Sequence, residues 1–163
     1  MNAQVDVQAS TNANFEPHSW VGQVLDHFAR GEQALGKLSL SIGLPITNGS
    51  LGSLAEVRKR LQTCGDRKAD MLDKRVERWL ANRPFRHLLA HATITVFYDA
   101  RGEMVVSTRH LPRDSADVTP DRVWTAAEQK ELLRQASNDG RSIADHVRDI
   151  LGNPALVAKL QAG

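Results

Sequence analysis

Apolar residues recur with the period of an α-helix along most of the chain. The first such stretch covers residues 20–42 and places its large apolar side chains on one side. Ser50 or Ser53 is suited to cap a second helix, and Asp66 is suited to cap a third. Asn82 then separates the third helix from a fourth, which has a proline in its first turn, where proline is tolerated. The pattern therefore predicts a mostly α-helical protein.

The period changes after residue 92, where two short stretches are rich in β-branched and aromatic residues. They flank a turn at 99–102 that ends in glycine, which predicts a β-hairpin at about 93–109. Because two strands are not stable alone, this hairpin must pack against the helices. Thr125 then caps a last long helix that continues to Leu151 and is either broken or only weakened at 138–140.

The chain divides into a short tail and one domain. Residues 1–16 are rich in Asn, Gln, Ser and Ala, which predicts a disordered N-terminal tail, and residues 111–120 predict a polar loop. Residues 17–163 are expected to form a single helical domain with the hairpin inside it. A chain of 163 residues has the size of one domain, and 41% hydrophobic residues are enough for a core.

Positive charge is concentrated in the middle of the chain. Residues 51–91 contain ten Lys and Arg against five Asp and Glu, whereas residues 1–50 and 112–151 each carry a net charge of −2. Such a block can attract a polyanion. The alternative is a solvated helix surface with pairs at i,i+4 spacing, such as Asp70 with Lys74.

The composition also excludes several classes of protein. Cys64 is the only cysteine, so no internal disulfide framework exists. No apolar stretch approaches the roughly 20 residues of a membrane span, and the N-terminus has no signal-peptide pattern, so a cytoplasmic location without membrane attachment is expected. Neither a phosphate-binding glycine loop nor a hydrolase nucleophile motif is present, and no cofactor or metal site is predicted.

The fourth predicted helix carries the candidate chemistry. At about 100° per residue its apolar side chains share one face, and the opposite face combines guanidinium and imidazole groups with a small alanine. Such groups can bind and cleave a phosphodiester. The apolar face comprises Phe85, Leu88, Leu89 and Ala92, and the polar face comprises Arg83, Arg86, His87, Ala90 and His91.

Residues 86–91 fit the pattern R-x-x-x-x-H, and with helices before it and a hairpin after it this segment resembles the HEPN superfamily. In that motif an Asn often follows the arginine, where this chain has His87, and a Gly often follows the histidine, where it has Ala92. The resemblance implies an up-and-down bundle of four to five helices that pairs into a homodimer, with both motifs in one cleft. It further implies a metal-independent endoribonuclease acting on RNA, of the kind found among toxins and defence effectors, with an antitoxin or other protein as a further partner.

The residues themselves suit RNA cleavage. Imidazole exchanges protons near neutral pH, so His91 is assigned the general acid/base role. A guanidinium stays charged and can grip two phosphate oxygens, so Arg86 is assigned charge stabilisation, and His87 is expected to position water, the 2′-OH or the phosphate. Positions five apart on a helix point about 140° away from each other. Arg86 and His91 therefore act on one phosphate only if Arg86 reaches across or a second subunit supplies one group.

Other interpretations compete with catalysis. His87 and His91 have the i,i+4 spacing of a metal-binding pair, although further ligands are scattered. Arg86 and His91 can instead make structural polar contacts, with Glu32 or Asp26 of the first helix as a partner. Two non-enzymatic functions follow: an inactive HEPN-like module that binds RNA or protein, and a helical nucleic-acid-binding regulator built on the second and third helices. Against the regulator, the basic residues look spread around both helices rather than gathered on one.

The remaining histidines and the tryptophans favour structural roles. His110 and His146 each stand alone in a polar segment, which indicates no special function. The three tryptophans are expected to anchor the core. They are Trp20, Trp79 and Trp124.

Overall fold

The computed structural model describes residues 17–46, 52–110 and 121–163, so the predicted tail at 1–16 and the loop at 111–120 lie outside the described residues. Within those ranges the protein is mostly helical with a small three-stranded antiparallel sheet, which confirms the predicted fold class. The elements are α1 (Pro17–Ser41), α2 (Leu54–Thr63), α3 (Arg67–Ala81), α4 (Arg83–His91), β1 (Thr93–Tyr98), β2 (Met104–Arg109), β3 (Arg122–Trp124), α5 (Ala126–Leu151) and α6 (Pro154–Ala162).

The two long helices α1 and α5 pack against each other and form the frame of the bundle. Both are continuous, although α1 contains Gly31 and α5 contains Gly140. A Cβ atom at Gly140 would lie 2.3 Å from the carbonyl oxygen of His27 on α1. A Cβ atom at Gly31 would lie 3.3 Å from the indole nitrogen of Trp79. These glycines therefore allow close packing rather than breaking the helices.

Local capping sets where the helices begin, much as the sequence predicts. An Asp66 carboxylate oxygen accepts a hydrogen bond from the backbone N–H of Lys68 at 2.8 Å and caps α3. Thr125 and Glu128 form a reciprocal capping box at the start of α5. Ser53 occupies the N-cap position of α2, but its hydroxyl donates to the carbonyl of Pro45 instead of accepting from the helix. That serine therefore ties α2 to the end of the preceding turn.

The predicted hairpin is present, and a third strand that the sequence did not predict extends it. β1 pairs with β2 in antiparallel register, and Gly102 takes a positive φ of 76° in the turn. β3 has only three residues and pairs Trp124 with Val106 of β2. So short a strand carries no detectable period of its own. It is stabilised by the ladder and by the Trp124 side chain, which is buried against Trp20 of α1 at a centroid distance of 5.6 Å.

The core confirms the expected role of the tryptophans. All three are almost completely buried, and the indole N–H of Trp20 donates to the backbone carbonyl of Gln129 at 2.9 Å. The indole N–H of Trp124 donates to the hydroxyl of Thr108 at 3.1 Å. Among the described helices, none combines the length and apolar character that crossing a bilayer requires.

Candidate functional site

Helix α4 separates its apolar and polar residues as predicted. Leu88 and Leu89 are only 4% and 3% exposed, and Phe85 packs against the same core. On the other side of the helix, Arg83 and His91 are exposed, and the remaining polar residues of that face are partly buried. The buried leucines fix the helix on the bundle, so the polar face is presented outward in one orientation.

The sheet holds the apolar side of α4 through an aromatic stack. The Phe85 ring meets the Trp124 indole edge-on at a centroid distance of 5.2 Å. The guanidinium of Arg122 lies 4.6 Å from the Phe85 ring and 4.2 Å from the Trp124 ring. Cations over aromatic faces are attracted by the ring quadrupole. β3, which the sequence did not predict, therefore helps to set the position of α4.

Three imidazole rings lie together at the C-terminal end of α4, and we call His87, His91 and His110 the histidine cluster. The ring centroids of His87 and His91 are 4.6 Å apart, with a 53° angle between the planes, as expected for i,i+4 neighbours. The ring of His110 lies 5.8 Å from that of His87. The structure therefore brings together two predicted site residues and one further histidine.

His110 corrects a prediction, because it is not an isolated histidine in a polar segment. It is 6% exposed, and its backbone N–H donates to a carboxylate oxygen of Asp121 at 3.1 Å. The hairpin brings it to α4: β1 starts two residues after His91, and Thr93 pairs with Arg109. An antiparallel hairpin returns the chain to where it started. The predicted hairpin at 93–109 was thus the signal that could have placed residue 110 beside the motif helix.

Arg86 makes the structural contact with α1 that the sequence left open. Its Nε lies 3.3 Å from Oε1 of Glu32, and its Nη2 lies 3.5 Å from Oε2. The side chain of Glu32 is 16% exposed, so this pair is partly shielded from water. The other suggested partner, Asp26, instead lies 3.6 Å from Arg30 within α1. The ion pair uses Nε and Nη2 of Arg86 and leaves its Nη1 outside the contact.

A surface groove of about 470 Å³ lies at the N-terminal half of α4 and is lined by two of the three predicted site residues. Arg86 and His87 line it, together with Arg83 from the start of the same helix. His91 does not line the groove, but its ring contacts the ring of His87, which does. In the described part of the chain, no ion pair involves Arg83, so the full charge of its exposed guanidinium faces solvent. Sequence reasoning assigned Arg83 no role, although it placed that residue on the polar face.

The other candidate groups have local or structural surroundings. His146 contacts the carbonyl of Ser142 in its own helix at 2.7 Å, in line with the structural role predicted for it. Desolvation is the main cause that lowers the pKa of His27, aided by the positive charge of Arg30. Burial also raises the pKa of the Cys64 thiol, which lowers its reactivity. Within residues 17–46, 52–110 and 121–163, no three His, Cys, Asp or Glu side chains are arranged to hold a metal ion.

The polar side of α4 therefore combines groups that exchange protons near neutral pH with groups that bind anions. No family model matches the chain, and no curated protein or solved structure matches it either. The function of these groups is therefore inferred from their geometry and from the R-x-x-x-x-H motif of residues 86–91.

Proposed function

We propose that this protein is a metal-independent endoribonuclease of the HEPN type, which acts as a homodimer. The observation that carries the proposal is the contact between the His87 and His91 rings beside a groove lined by Arg83 and Arg86. RNA supplies its own nucleophile in the 2′-OH. An enzyme that cleaves it needs a proton acceptor, a proton donor and positive charge at the phosphate. All three lie on the polar side of α4.

The imidazole pair accounts for both proton transfers. The neutral ring of His91, which is exposed, accepts the 2′-OH proton while the 2′ oxygen bonds to phosphorus. The bond from phosphorus to the 5′ oxygen breaks, and the imidazolium of His87 gives that oxygen its proton. The products are a 2′,3′-cyclic phosphate and a free 5′-OH. His91 gains one proton and His87 loses one, so the pair must exchange protons with water before the next cycle.

The arginines supply the positive charge. Arg83 projects into the groove from the first turn of α4, and Glu32 holds Arg86 in one orientation. An oriented guanidinium loses less conformational entropy when it binds a phosphate than a mobile one does. Because Arg86 and His91 point about 140° apart on one helix, the proposal includes a homodimer in which two α4 helices share one cleft. The second subunit then offers its arginine to the first subunit's histidines.

The deciding experiment is cleavage of mixed RNA in the presence of a chelator, with wild-type protein beside His91→Ala. We expect wild-type cleavage to survive chelation and His91→Ala to cleave about 10²- to 10⁴-fold more slowly, the usual loss for a general acid/base. His18→Ala is the matched control, because it also removes an exposed imidazole, one that lies at the N-terminal end of α1 and does not line the groove. It is expected to cleave at the wild-type rate and to leave 2′,3′-cyclic phosphate ends.

Two outcomes contradict the proposal. Cleavage that disappears on chelation indicates a metal-dependent reaction at the histidine cluster, with ligands beyond those that the structure brings together. Equal activity in His91→Ala and wild type excludes His91 from the reaction.

A second candidate function, an inactive module that binds RNA without cutting it, is favoured by the Arg86–Glu32 ion pair. Both ends of that pair are partly buried between α4 and α1, which is the geometry of a structural contact. Arg86→Ala and Glu32→Ala distinguish the two functions. If the pair is only structural, both variants lose similar stability and bind RNA as wild type does. If Arg86 also stabilises the phosphate, Arg86→Ala loses cleavage in excess of its loss of stability.

A further inference from the structure

The outer face of α3 carries a line of basic side chains. Arg67, Lys74 and Arg78 are exposed and fall within about 40° of each other around the helix. They lie opposite the buried side of α3, whose residues are Ala69, Leu72, Asp73, Val76 and Trp79. From Arg67 to Arg78 the line is about 16 Å long at 1.5 Å per residue. We call Arg67, Lys74 and Arg78 the basic face of α3.

The ion pairs of the fold show which basic residues of 51–91 remain available to bind an anion. Four of the ten basic residues in 51–91 form ion pairs within the protein, two of them with acids from other parts of the chain. In the described part of the chain, no hydrogen bond or ion pair involves the side chains of the basic face, and none joins Lys74 to Asp70. The ion pairs are Arg58 with Asp73 at 2.7 Å, Arg60 with Glu56 at 3.3 Å, Arg75 with Asp139 at 2.8 Å and Arg86 with Glu32 at 3.3 Å.

The structure narrows the prediction that the basic residues are spread around α2 and α3, although exposed Lys59 and Lys68 lie outside the basic face. In the structure, Arg58 and Arg60 of α2 turn toward acids or backbone carbonyls of the fold, whereas three basic residues of α3 share one outward side. The helical angles of positions 67, 74 and 78 could have shown this grouping. Those helical angles do not show which arginines form ion pairs within the protein.

We propose that the basic face of α3 binds the phosphate backbone of single-stranded RNA and leads it to the groove on α4. The inference rests on the proposed function, since it names how the substrate reaches that groove. α3 ends at Ala81, and Arg83, which lines the groove, follows Arg78 by five residues, so the basic face and the groove belong to consecutive helices. A row of Lys and Arg binds phosphates by charge and by release of counterions, without reading the sequence.

An exposed apolar side chain within the line fits a nucleic acid strand better than an acidic protein. Met71 is 46% exposed and lies between Arg67 and Lys74 on the same side of α3. In a single strand the bases are not paired, so one of them can lie against this polarizable thioether while its phosphates meet the cations. The bases of a duplex are stacked inside and cannot reach it. The basic face therefore fits a single strand.

The test is RNA binding by the full chain, with His91→Ala as the background so that no RNA is cut during the measurement. A fluorescein-labelled oligouridylate is titrated with this protein and with the triple variant Arg67→Glu, Lys74→Glu and Arg78→Glu. Three lost phosphate contacts reduce the slope of log K against log salt concentration by about 2, at about 0.7 per contact for a single strand. Affinity is expected to fall by about tenfold or more at low salt.

The matched control carries the same change of charge elsewhere on the protein. Lys37→Glu, Arg141→Glu and Lys159→Glu replace exposed residues of α1, α5 and α6 that take no part in a side-chain ion pair within the described residues. This control is expected to keep the salt slope of the unmodified background. If either triple variant fails to fold, Lys74→Glu and Lys159→Glu are compared singly, where the expected difference in slope is about 0.7.

The outcomes separate this inference from the proposed function. If the wild type cuts no RNA but the α3 variant still shows the smaller slope of log K against log salt concentration, the strand-binding inference stands and the nuclease proposal fails. If both triple variants show the same slope while the wild type cleaves, the strand-binding inference is overturned. Tighter binding to duplex DNA than to the single strand overturns it as well, because that result assigns the face to duplex recognition. Equal displacement of the RNA by polyglutamate of matched charge assigns it to acidic proteins.

Discussion

The crossing of α1 and α5 and the polar side of α4 are built on opposite principles. At the crossing, Gly140 packs directly against the backbone of His27, and the indole N–H of Trp20 donates a hydrogen bond to the carbonyl of Gln129. On α4, exposed Arg83 and His91 face solvent over two buried leucines. At the crossing, an added Cβ atom at Gly140 would collide with backbone, whereas the polar side of α4 leaves guanidinium and imidazole groups accessible to solvent. The comparison teaches that the residues that stabilise the fold differ from those proposed for catalysis, so mutations can separate the two roles.

The polar contacts of the two regions differ in the same way. Arg75 and Asp139 join α3 to α5 at 2.8 Å, and the side chain of Asp139 is almost fully covered. Arg86 and Glu32 join α4 to α1 with longer contacts, and the arginine is one third exposed. The first pair ties α3 to α5, one of the two helices of the frame. The Arg86–Glu32 pair lies where α1 meets the groove, so Arg86 can both stabilise the fold and bind a phosphate.

The largest effect is expected at the crossing itself. Gly140→Ala puts a Cβ atom 2.3 Å from the His27 carbonyl oxygen, and because that atom is backbone the two helices must separate. We expect a loss of about 3 kcal/mol or more in the free energy of unfolding, the upper range for overpacking a core. Urea denaturation followed by circular dichroism measures it.

Gly22→Ala is the matched control for that substitution. Gly22 is exposed on α1, and a Cβ atom there has no neighbour within 4 Å. Higher helix propensity is expected to stabilise the protein by up to about 1 kcal/mol. Equal urea midpoints for the two variants would show that α1 and α5 are not in the close contact described above.

The next effect concerns Asp73, whose pKa combines opposing causes. Desolvation raises the pKa of this carboxyl, but hydrogen bonds from Arg58 and Gln62 outweigh it and hold the pKa below its ordinary value. Asp73→Asn is expected to cost about 2 kcal/mol near neutral pH, typical of a hydrogen bond to a charged group. Because the folded-state pKa is lowered, the stabilisation is present above the unfolded pKa and is lost as pH falls through the folded one.

The pH dependence gives this prediction its own check. The difference in unfolding free energy between wild type and Asp73→Asn should be constant from neutral pH down to about 4.5 and should narrow below about 4. Unfolding curves at several pH values measure it. A difference that grows as the pH falls would mean that the carboxyl is destabilised in the folded protein.

The smallest effect on stability is expected on the polar side of α4. Arg83→Ala and His91→Ala remove exposed side chains that support no buried contact, so each should change the unfolding free energy by no more than about 0.5 kcal/mol. The same His91→Ala protein is the one expected to lose cleavage. A stability loss similar to that of Asp73→Asn would show that His91 stabilises the fold, and it would contradict the proposed separation between stabilising and catalytic residues.

Much of the fold was predictable because its signals are local. The helical period, the Asp66 and Thr125 caps and the proline at the start of α4 each depend on residues within a few positions of one another. β3 was missed because three residues carry no period and are held by pairing with β2. The glycines within α1 and α5 were ambiguous for a related reason. Glycine weakens a helix by itself, and only a neighbouring helix at close range makes it necessary.

In the candidate site, too, local sequence sets some features and tertiary packing sets the others. The sequence by itself determined the two sides of α4 and thereby the exposure of Arg83 and His91, since helical geometry alone sets which residues share a side. Only the tertiary structure decided that Glu32 pairs with Arg86, that His110 lies beside His87, and that some arginines form ion pairs while the side chains of the basic face of α3 form none. Those decisions join residues far apart in the chain. Their distances depend on how whole helices pack, which no local pattern contains.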